Sequence, residues 1–297
     1  MGTVSAISQP AFALEERLRF VEVVLLWEGL VRRQRVSDVF RIAPNHVSRD
    51  MRYYLERFPD AIDFRPELRG YVAGPNFKPR FASDDPGEYL GLLQARADSQ
   101  GAALLPLTGG TVEVGALPSP AMGIDKTVLK QLVRAIHQGH GLAVTYLGMR
   151  AEGPSTRTLW PHALLNTGLR WYVRAYDSDS ASFRSFVIAR ISAAGKSDRS
   201  SPVPPSDDAG WHKHVTAHVV PHPKLNAHQQ SVVAREFGMK RVGKQWVWSV
   251  ELRQCLVGHF ARRYGLDAKT QVASSSHWVV LRNPAELRPY FLPGGNE

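Results

Sequence analysis

Asn45, Ser48, Arg49 and Arg52 fall at i, i+3, i+4 and i+7, with His46 beside them, so on a helix they project together from one face. The chemistry of that set is base reading. Asn pairs bidentately with adenine and Arg with guanine, while a Ser hydroxyl and a helix N-terminus suit a phosphate. From Arg32 to Arg57, seven Arg stand against Asp38, Asp50 and Glu56, a local excess of four positive charges. Any small helical bundle also displays a polar face, so the neighbouring elements must decide.

Leu14, Leu18, Val21, Val24 and Leu25 recur at helical spacing and Gly29 follows as a C-cap, which predicts a first helix. A short apolar segment, Val36 to Arg41, predicts a second helix, and Pro44 suits the first position of a third. In that third helix Val47, Met51, Tyr54, Leu55 and Phe58 form the core stripe opposite the polar face. Beyond Pro59, Ile62 to Arg65, a turn at Pro66, and Gly70 to Ala73 predict a two-stranded hairpin with Arg65 and Arg69 at its tip. Helix, turn, helix and basic hairpin in this order form the winged helix-turn-helix pattern. Residues 1–74 are therefore expected to read DNA through Asn45, His46, Ser48, Arg49, Arg52, Arg65 and Arg69.

The 297 residues exceed the usual size of one compact domain, and 43% hydrophobic with 22% charged residues excludes a wholly disordered or collagen-like chain. The net charge of +10 comes from 28 Arg and 9 Lys against 27 acidic residues. Such an excess points to a polyanion, nucleic acid or an anionic membrane surface, and guanidinium groups favour phosphate. A basic proteome with GC-rich codons produces the same count, so composition alone leaves both open. Cys255 is the only cysteine, which rules out an intrachain disulfide and a thiolate zinc cluster and fits a reducing compartment, with the cytoplasm as the default. The first dozen residues lack a basic start and apolar core, and no apolar run reaches the roughly 18 residues that span a bilayer. Neither secretion nor a membrane partner is expected.

Residues 75–138 read as a helical connector: a linker from Gly74 to Pro86, then a helix from Gly87 to Ser99 with Leu90, Leu93 and Ala97 on its packed side. Residues 100–124 read as loop or short extended pieces. Asp125 then caps a helix with Val128, Leu129, Leu132, Val133 and Ile136 on its buried face, ended by Gly139. Four β-rich stretches follow, Leu142 to Leu147, Arg157 to Leu165, Leu169 to Tyr176 and Phe183 to Ile191, with the spacing of a small, strongly bent barrel. Alternation puts Tyr172 with Arg174 on one face and Trp171 with Val173 on the other, and sets Arg184 and Arg190 on one face around Phe186 and Ile188. Arginines so flanked suit an anion. Taken alone, Trp171 reads as core and His162, after Pro161, as a structural histidine.

The runs Arg157-Thr-Leu-Trp-Pro-His-Ala-Leu-Leu165, Gly168-Leu-Arg-Trp-Tyr-Val-Arg-Ala-Tyr176 and Phe183-Arg-Ser-Phe-Val-Ile-Ala-Arg-Ile191 resemble the signature of the bacterial WYL-domain transcriptional regulators. Trp171-Tyr172-Val173 stands at the motif that names them, and the branch most resembled is that of repressors associated with phage-defence operons. The resemblance covers most of the chain. It implies an α+β multidomain protein in series: an N-terminal winged helix-turn-helix, a helical connector, an Sm-like β-barrel WYL domain over residues 139–193, and a C-terminal αβ extension. It also implies a sensing pocket of Tyr146, His162, Arg184 and Arg190, with Trp171, Tyr172 and Arg174 adjacent, for a nucleotide or single-stranded nucleic-acid ligand. Gly148 stands where the resemblance implies a serine.

Residues 193–210 are rich in Ser, Asp, Pro and Lys, so 194–210 reads as a linker to a last module, 211–297. That module alternates a strand (Val215 to Val220), a helix (Asn226 to Phe237), a strand (Gln245 to Leu252), a helix (Leu256 to Tyr264), a strand (Trp278 to Leu281) and a helix (Pro284 to Phe291). A winged helix that reads a palindrome needs a two-fold partner, so this layer is expected to make a homodimer. His212, His214, His218 and His222 invite a metal, but strand residues four apart are about 13 Å apart, and only His212 with His214 could chelate. No metal and no cofactor are expected. With no Walker loop, nucleophile elbow, His-Glu-x-x-His helix or glycine fingerprint, and with Cys255 read as a packed small hydrophobe, no catalysis is expected either. The function expected is a homodimeric, sequence-specific repressor on palindromic double-stranded operator DNA, released by a nucleotide or oligonucleotide. The alternatives are a nucleic-acid-binding module without sequence preference, or an activator of the same architecture.

Overall fold

The computed structural model describes residues 12–98, 112–115, 117, 123–149, 152–197, 200–267 and 278–292. It divides into two compact units, within residues 1–120 and 121–297. The expectations for the first eleven residues and for most of 100–124 lie outside the described residues.

The first unit runs α1 (Phe12–Glu28), α2 (Arg33–Phe40), α3 (Pro44–Arg57), β1 (Ile62–Arg65), β2 (Gly70–Ala73) and α4 (Pro86–Asp98). Its core joins Leu18, Phe20, Val21 and Val24 of α1, Val36 of α2, Val47, Met51 and Tyr54 of α3, and Ile62 of β1. β1 and β2 pair antiparallel as the wing, and Val31, between α1 and α2, bridges Tyr71 as a third short strand. Only glycine fits at position 70, because a Cβ there would lie 2.7 Å from Leu30 Cδ1 and 2.9 Å from the Val31 carbonyl oxygen.

Residues 75–85, expected as a linker, are fastened to this core. The fully buried Glu22 carboxylate accepts the Tyr54 hydroxyl at 2.7 Å and the backbone N–H groups of Arg80, Phe81 and Ala82 at 2.8, 2.7 and 2.8 Å. Phe77 and Phe81 pack on the same cluster. Pro, Ser and Asp content marks this stretch as irregular, but two aromatic side chains and a buried acceptor give it a fixed place. α4 also differs from expectation: Leu93 is buried but Leu90 is exposed, and Tyr89 instead stacks on Trp27 of α1 with ring centroids 5.4 Å apart.

The second unit opens with α5 (Lys126–Gln138), where Asp125 Oδ1 accepts the N–H groups of Thr127 and Val128 at 2.7 and 3.0 Å. Val128, Leu132 and Ala135 are buried, whereas Leu129 faces outward. β3 (Gly141–Tyr146), β4 (Ser155–Asn166), β5 (Trp171–Asp177), β6 (Ser182–Val187), a 3-10 turn (Ile188–Arg190) and β7 (Ile191–Ser197) follow. The strands form one antiparallel sheet in the order β6-β5-β4-β3-β7, with α5 packed on the face that carries Leu142, Val144, Leu159, Val173 and Ala175. Among the described residues no ladder joins β6 to β7, and the five strands that were expected to bend into a small barrel form one sheet. β7 takes up the start of the stretch read as a linker, where Ala193 and Ala194 pair with Thr145 and Val144. Small residues without alternation hid that strand.

The last module holds α6 (Ala209–His212), β8 (His214–Pro221), α7 (Ala227–Glu236), β9 (Lys240–Val242), β10 (Gln245–Arg253), α8 (Val257–Arg263), β11 (Val279–Leu281) and α9 (Pro284–Leu287). The sheet order is β11-β8-β10-β9. The expected strands and the two longer helices are present, the helix expected over Pro284 to Phe291 is one turn, Pro284–Leu287, followed by a 3-10 turn, Arg288–Tyr290, and neither α6 nor β9, three exposed residues, was anticipated. Asn226 and Gln229 make a reciprocal capping box at the start of α7. No helix among the described residues is long and apolar enough to cross a membrane.

Candidate nucleic-acid interface and sensing site

Val47, Asp50, Met51 and Tyr54 bury one side of α3, which leaves Asn45, His46, Arg49 and Arg52 exposed on the other. The three-residue turn before it is closed by the Ser37 hydroxyl on the Ile42 carbonyl and places Arg41 in the left-handed region at φ 51°. Ser48 is half-buried and engaged. Its hydroxyl donates to the Pro44 carbonyl at 3.1 Å and accepts from Arg33 Nη1 at 3.1 Å. Arg33, the first residue of α2, also places its guanidinium 5.8 Å from the Phe64 ring of the wing. The sequence showed Arg33 only as part of a charge count.

Two charges of the reader region are internal. Asp50 receives Arg17 Nε at 2.6 Å and Nη2 at 3.0 Å, and Arg35 holds Glu28 at 2.6 and 2.9 Å. Each partner lies outside residues 32–57 and the two pairs are of opposite sense, so the local excess of four is unchanged. On the wing, Arg65 and Arg69 are both exposed; Arg65 lies 3.7 Å from Asp63.

The residues expected in the sensing pocket divide between the two faces of the five-stranded sheet. Register places Tyr146 and Arg184 on the face that also carries Val144, Val173 and Phe186, and Tyr172 and Arg174 on the other. On the first face the Tyr146 hydroxyl accepts the Val187 N–H at 3.3 Å and its ring meets Phe186 edge-on at 5.2 Å. Arg157, which the sequence reading did not select, sets its guanidinium 5.7 and 5.6 Å from those two rings and 3.3 Å from the buried Asp177. Arg190 ends the 3-10 turn beside them, and its carbonyl accepts the Leu147 N–H at 2.8 Å. Arg184 is exposed. Trp171, expected as core when taken alone, is 39% exposed.

On the second face, a bulge between Pro161 and Ala163 turns His162 toward Asp208. Asp208 is 1% exposed and accepts Arg174 Nε at 2.7 Å, Arg174 Nη2 at 2.8 Å and His162 Nε2 at 2.9 Å. It also caps α6 by accepting the Trp211 N–H. Burial pushes the Asp208 carboxyl up, but the hydrogen bonds from Arg174 and His162 outweigh it and hold it well below the usual carboxylate range. Trp211 packs edge-on against His162 at 5.7 Å and carries the Arg253 guanidinium at 4.3 Å. Tyr172 is buried with Leu165, Val187, Trp211, Cys255 and Leu256, its ring 4.8 Å from His259. Burial raises the Cys255 thiol, as suits a packing residue. Asp208 and Trp211 were missed because they lie in or beside a stretch whose composition reads as linker.

His212 rests on the Pro205 carbonyl and His218 on the Ser249 hydroxyl, and no group of three or more metal-ligating side chains occurs among the described residues.

Three family models match the chain: the BrxR transcriptional regulator winged helix-turn-helix domain over residues 13–95, the WYL domain over 127–195, and the BrxR transcriptional regulator C-terminal dimerization domain over 214–287. The first takes in 75–85 and most of α4, as the packing does. The chain is 30% identical over 288 residues to the DNA-binding transcriptional repressor CapW of Stenotrophomonas maltophilia, covering 96% of this chain and 95% of that one. It is 28% identical to the repressor of that name in Escherichia coli (strain KTE188), over 92% of this chain and 90% of the relative, and 28% to that in Pseudomonas aeruginosa, over 76% and 75%. Among solved structures, Proteasome accessory factor B/C (PafBC) of Arthrobacter aurescens matches at 16% identity over 93% of this chain and 47% of that one, with a TM-score of 0.27.

Proposed function

Since this chain belongs to the family of DNA-binding transcriptional repressors named CapW, we propose that it is a homodimeric repressor whose α3 enters the major groove of a palindromic operator. The observation that carries this reading is the two-sided α3: Val47, Met51 and Tyr54 fix it in the core while Asn45, Arg49 and Arg52 stand exposed on its outer face. The wing holds the neighbouring backbone through Arg65 and Arg69, which give affinity without sequence information. The C-terminal module supplies the two-fold contact, and the operator belongs to a phage-defence operon.

Release follows from differential binding. A nucleotide or oligonucleotide phosphate engages Arg184 and Arg190 beside Tyr146, on one face of the five-stranded sheet. The same sheet is tied to α6, at the entry to the C-terminal module, by the Arg174–Asp208 pair, so a shift of its strands alters the geometry of the dimer. The ligand then favours the DNA-free arrangement by the difference in its affinity for the two states. Binding and release are the whole of the chemistry assigned, and no catalytic step is involved.

The test is selection of random duplex DNA by the full-length protein. Recovery of a palindrome supports the reading. Retention of duplexes of every sequence, with a steep loss of binding in salt, supports a module without sequence preference instead.

A further inference from the structure

Val31 joins the wing through two backbone hydrogen bonds with Tyr71, at 3.0 and 2.8 Å, and the next two residues are Arg32 and Arg33. They open α2. A cation at the start of a helix opposes the helix dipole, the first turn of α2 holds no acidic residue to offset it, and Arg32 at the N-cap position makes no side-chain cap. Neither side chain is therefore placed for the stability of α2 itself.

Both reach the wing instead. Arg32 Nε donates to the Leu68 carbonyl in the wing's turn at 3.3 Å. Arg33 spans further: its guanidinium lies 5.8 Å from the centre of the Phe64 ring, and its Nη1 donates to Ser48 Oγ at 3.1 Å, so one side chain touches the wing and the second turn of α3. The partner at each end is itself held. Phe64 meets Tyr71 edge-on with ring centroids 5.1 Å apart, and the Ser48 hydroxyl donates to the Pro44 carbonyl at 3.1 Å.

Phosphate contacts fix the register of a protein on a duplex, so the angle between wing and α3 decides which phosphates Arg65 and Arg69 meet when α3 is on its bases. We propose that Arg33 is a positioning residue that sets this angle: it braces Phe64 of the wing against Ser48 of α3, and the wing arginines and the reader helix then meet the operator in one register. The inference rests on the reading of α3 and the wing as the DNA-binding elements. A wing ordered before the encounter costs less to bind, so Arg33 raises operator affinity through the residues it holds.

The experiment pairs native-state hydrogen exchange of the full-length protein with mobility-shift titration of its own promoter DNA, for wild type, Arg33→Ala, Phe64→Leu and the double variant. Arg33 and Phe64 are exposed, so the variants keep the core of the head. Without DNA, the amides of residues 62–73 are expected to exchange at least about fivefold faster in Arg33→Ala, because a ring contact and a hydrogen bond are lost together, while those of α3 keep their wild-type rates. On DNA, each single variant is expected to bind at least about fivefold more weakly, Phe64→Leu with the wild-type salt dependence, and the double variant within about twofold of Arg33→Ala. An Arg33 that only touches a phosphate gives a different set: wing exchange and Phe64→Leu binding as in the wild type, and a salt slope lower by about one per head in Arg33→Ala. That set overturns the proposal, as do additive losses in the double variant. Wild-type protein without preference for its promoter over random duplex fails the DNA-binding reading itself, and the proposal with it.

Discussion

The Arg174 guanidinium grips the Asp208 carboxylate through both of its oxygens, Nε on Oδ2 at 2.7 Å and Nη2 on Oδ1 at 2.8 Å, with both residues buried. Arg174 belongs to β5 and Asp208 to the entry of α6, so this pair ties the five-stranded sheet to the module that follows. The approach is close enough that a Cβ on residue 210 would lie 2.6 Å from Arg174 Nη2.

Asp208→Ala leaves a buried guanidinium without its counter-charge and removes the cap of α6. The expected loss is about 3–5 kcal/mol of unfolding free energy, read by urea denaturation. Replacing both partners, Arg174→Met with Asp208→Leu, costs less than the sum of the single changes, because no uncompensated charge remains. Additive losses would mean that the pair is not a unit.

Acid unfolding carries the sign of the same interaction. The folded Asp208 carboxyl lies below its ordinary value of 3.8. Its contribution to stability is therefore fully present above that value and is lost as pH falls through the lower, folded one. The wild type is expected to lose stability more steeply below about pH 4 than Asp208→Asn does. Parallel stability profiles for the two proteins would place the carboxyl at its ordinary value.

Glu22 holds the segment after the wing. Glu22→Ala strands the Tyr54 hydroxyl and three backbone N–H groups, at about 1–3 kcal/mol for each left buried and unpaired. The expected outcome is loss of the head's cooperative unfolding and new protease cleavage within 75–85. A digestion pattern like that of the wild type contradicts the anchoring role.

Arg184 and Arg190 belong to the second unit, whereas the residues proposed to read DNA belong to the first. Arg184→Ala with Arg190→Ala is expected to leave operator affinity within about twofold of wild type while a promoter–reporter fusion no longer responds to the inducing stimulus. Persistent induction removes these arginines from sensing.

What was legible in the sequence was whatever repeats with a period. The spacing of Val47, Met51 and Tyr54 fixed both faces of α3, and the wing followed from Pro66 and Gly70 between two short alternating runs. The long strands and helices of the C-terminal module were legible for the same reason. What was hidden depended on single polar residues meeting across long separations. Glu22 with residues 80–82, and Arg174 with Asp208, each join a regular element, across more than thirty residues, to a segment whose composition says only that it is not helix or strand. Arg157 and Asp208 carry no periodicity of their own, and the division of the expected pocket between two faces follows from register and from the bulge at His162, which alternation within one strand does not reveal.

The central claim, that α3 reads the operator, is tested most directly by a mobility-shift titration of the protein's own promoter DNA with wild type and Arg49→Ala/Arg52→Ala. Both side chains are exposed, so the variant should keep the fold and dimer of the wild type. Two lost base contacts at about 1–3 kcal/mol each weaken operator binding by at least about thirtyfold, with the residual binding no longer dependent on sequence. Operator affinity within about twofold of wild type, with the same sequence preference, would contradict the account.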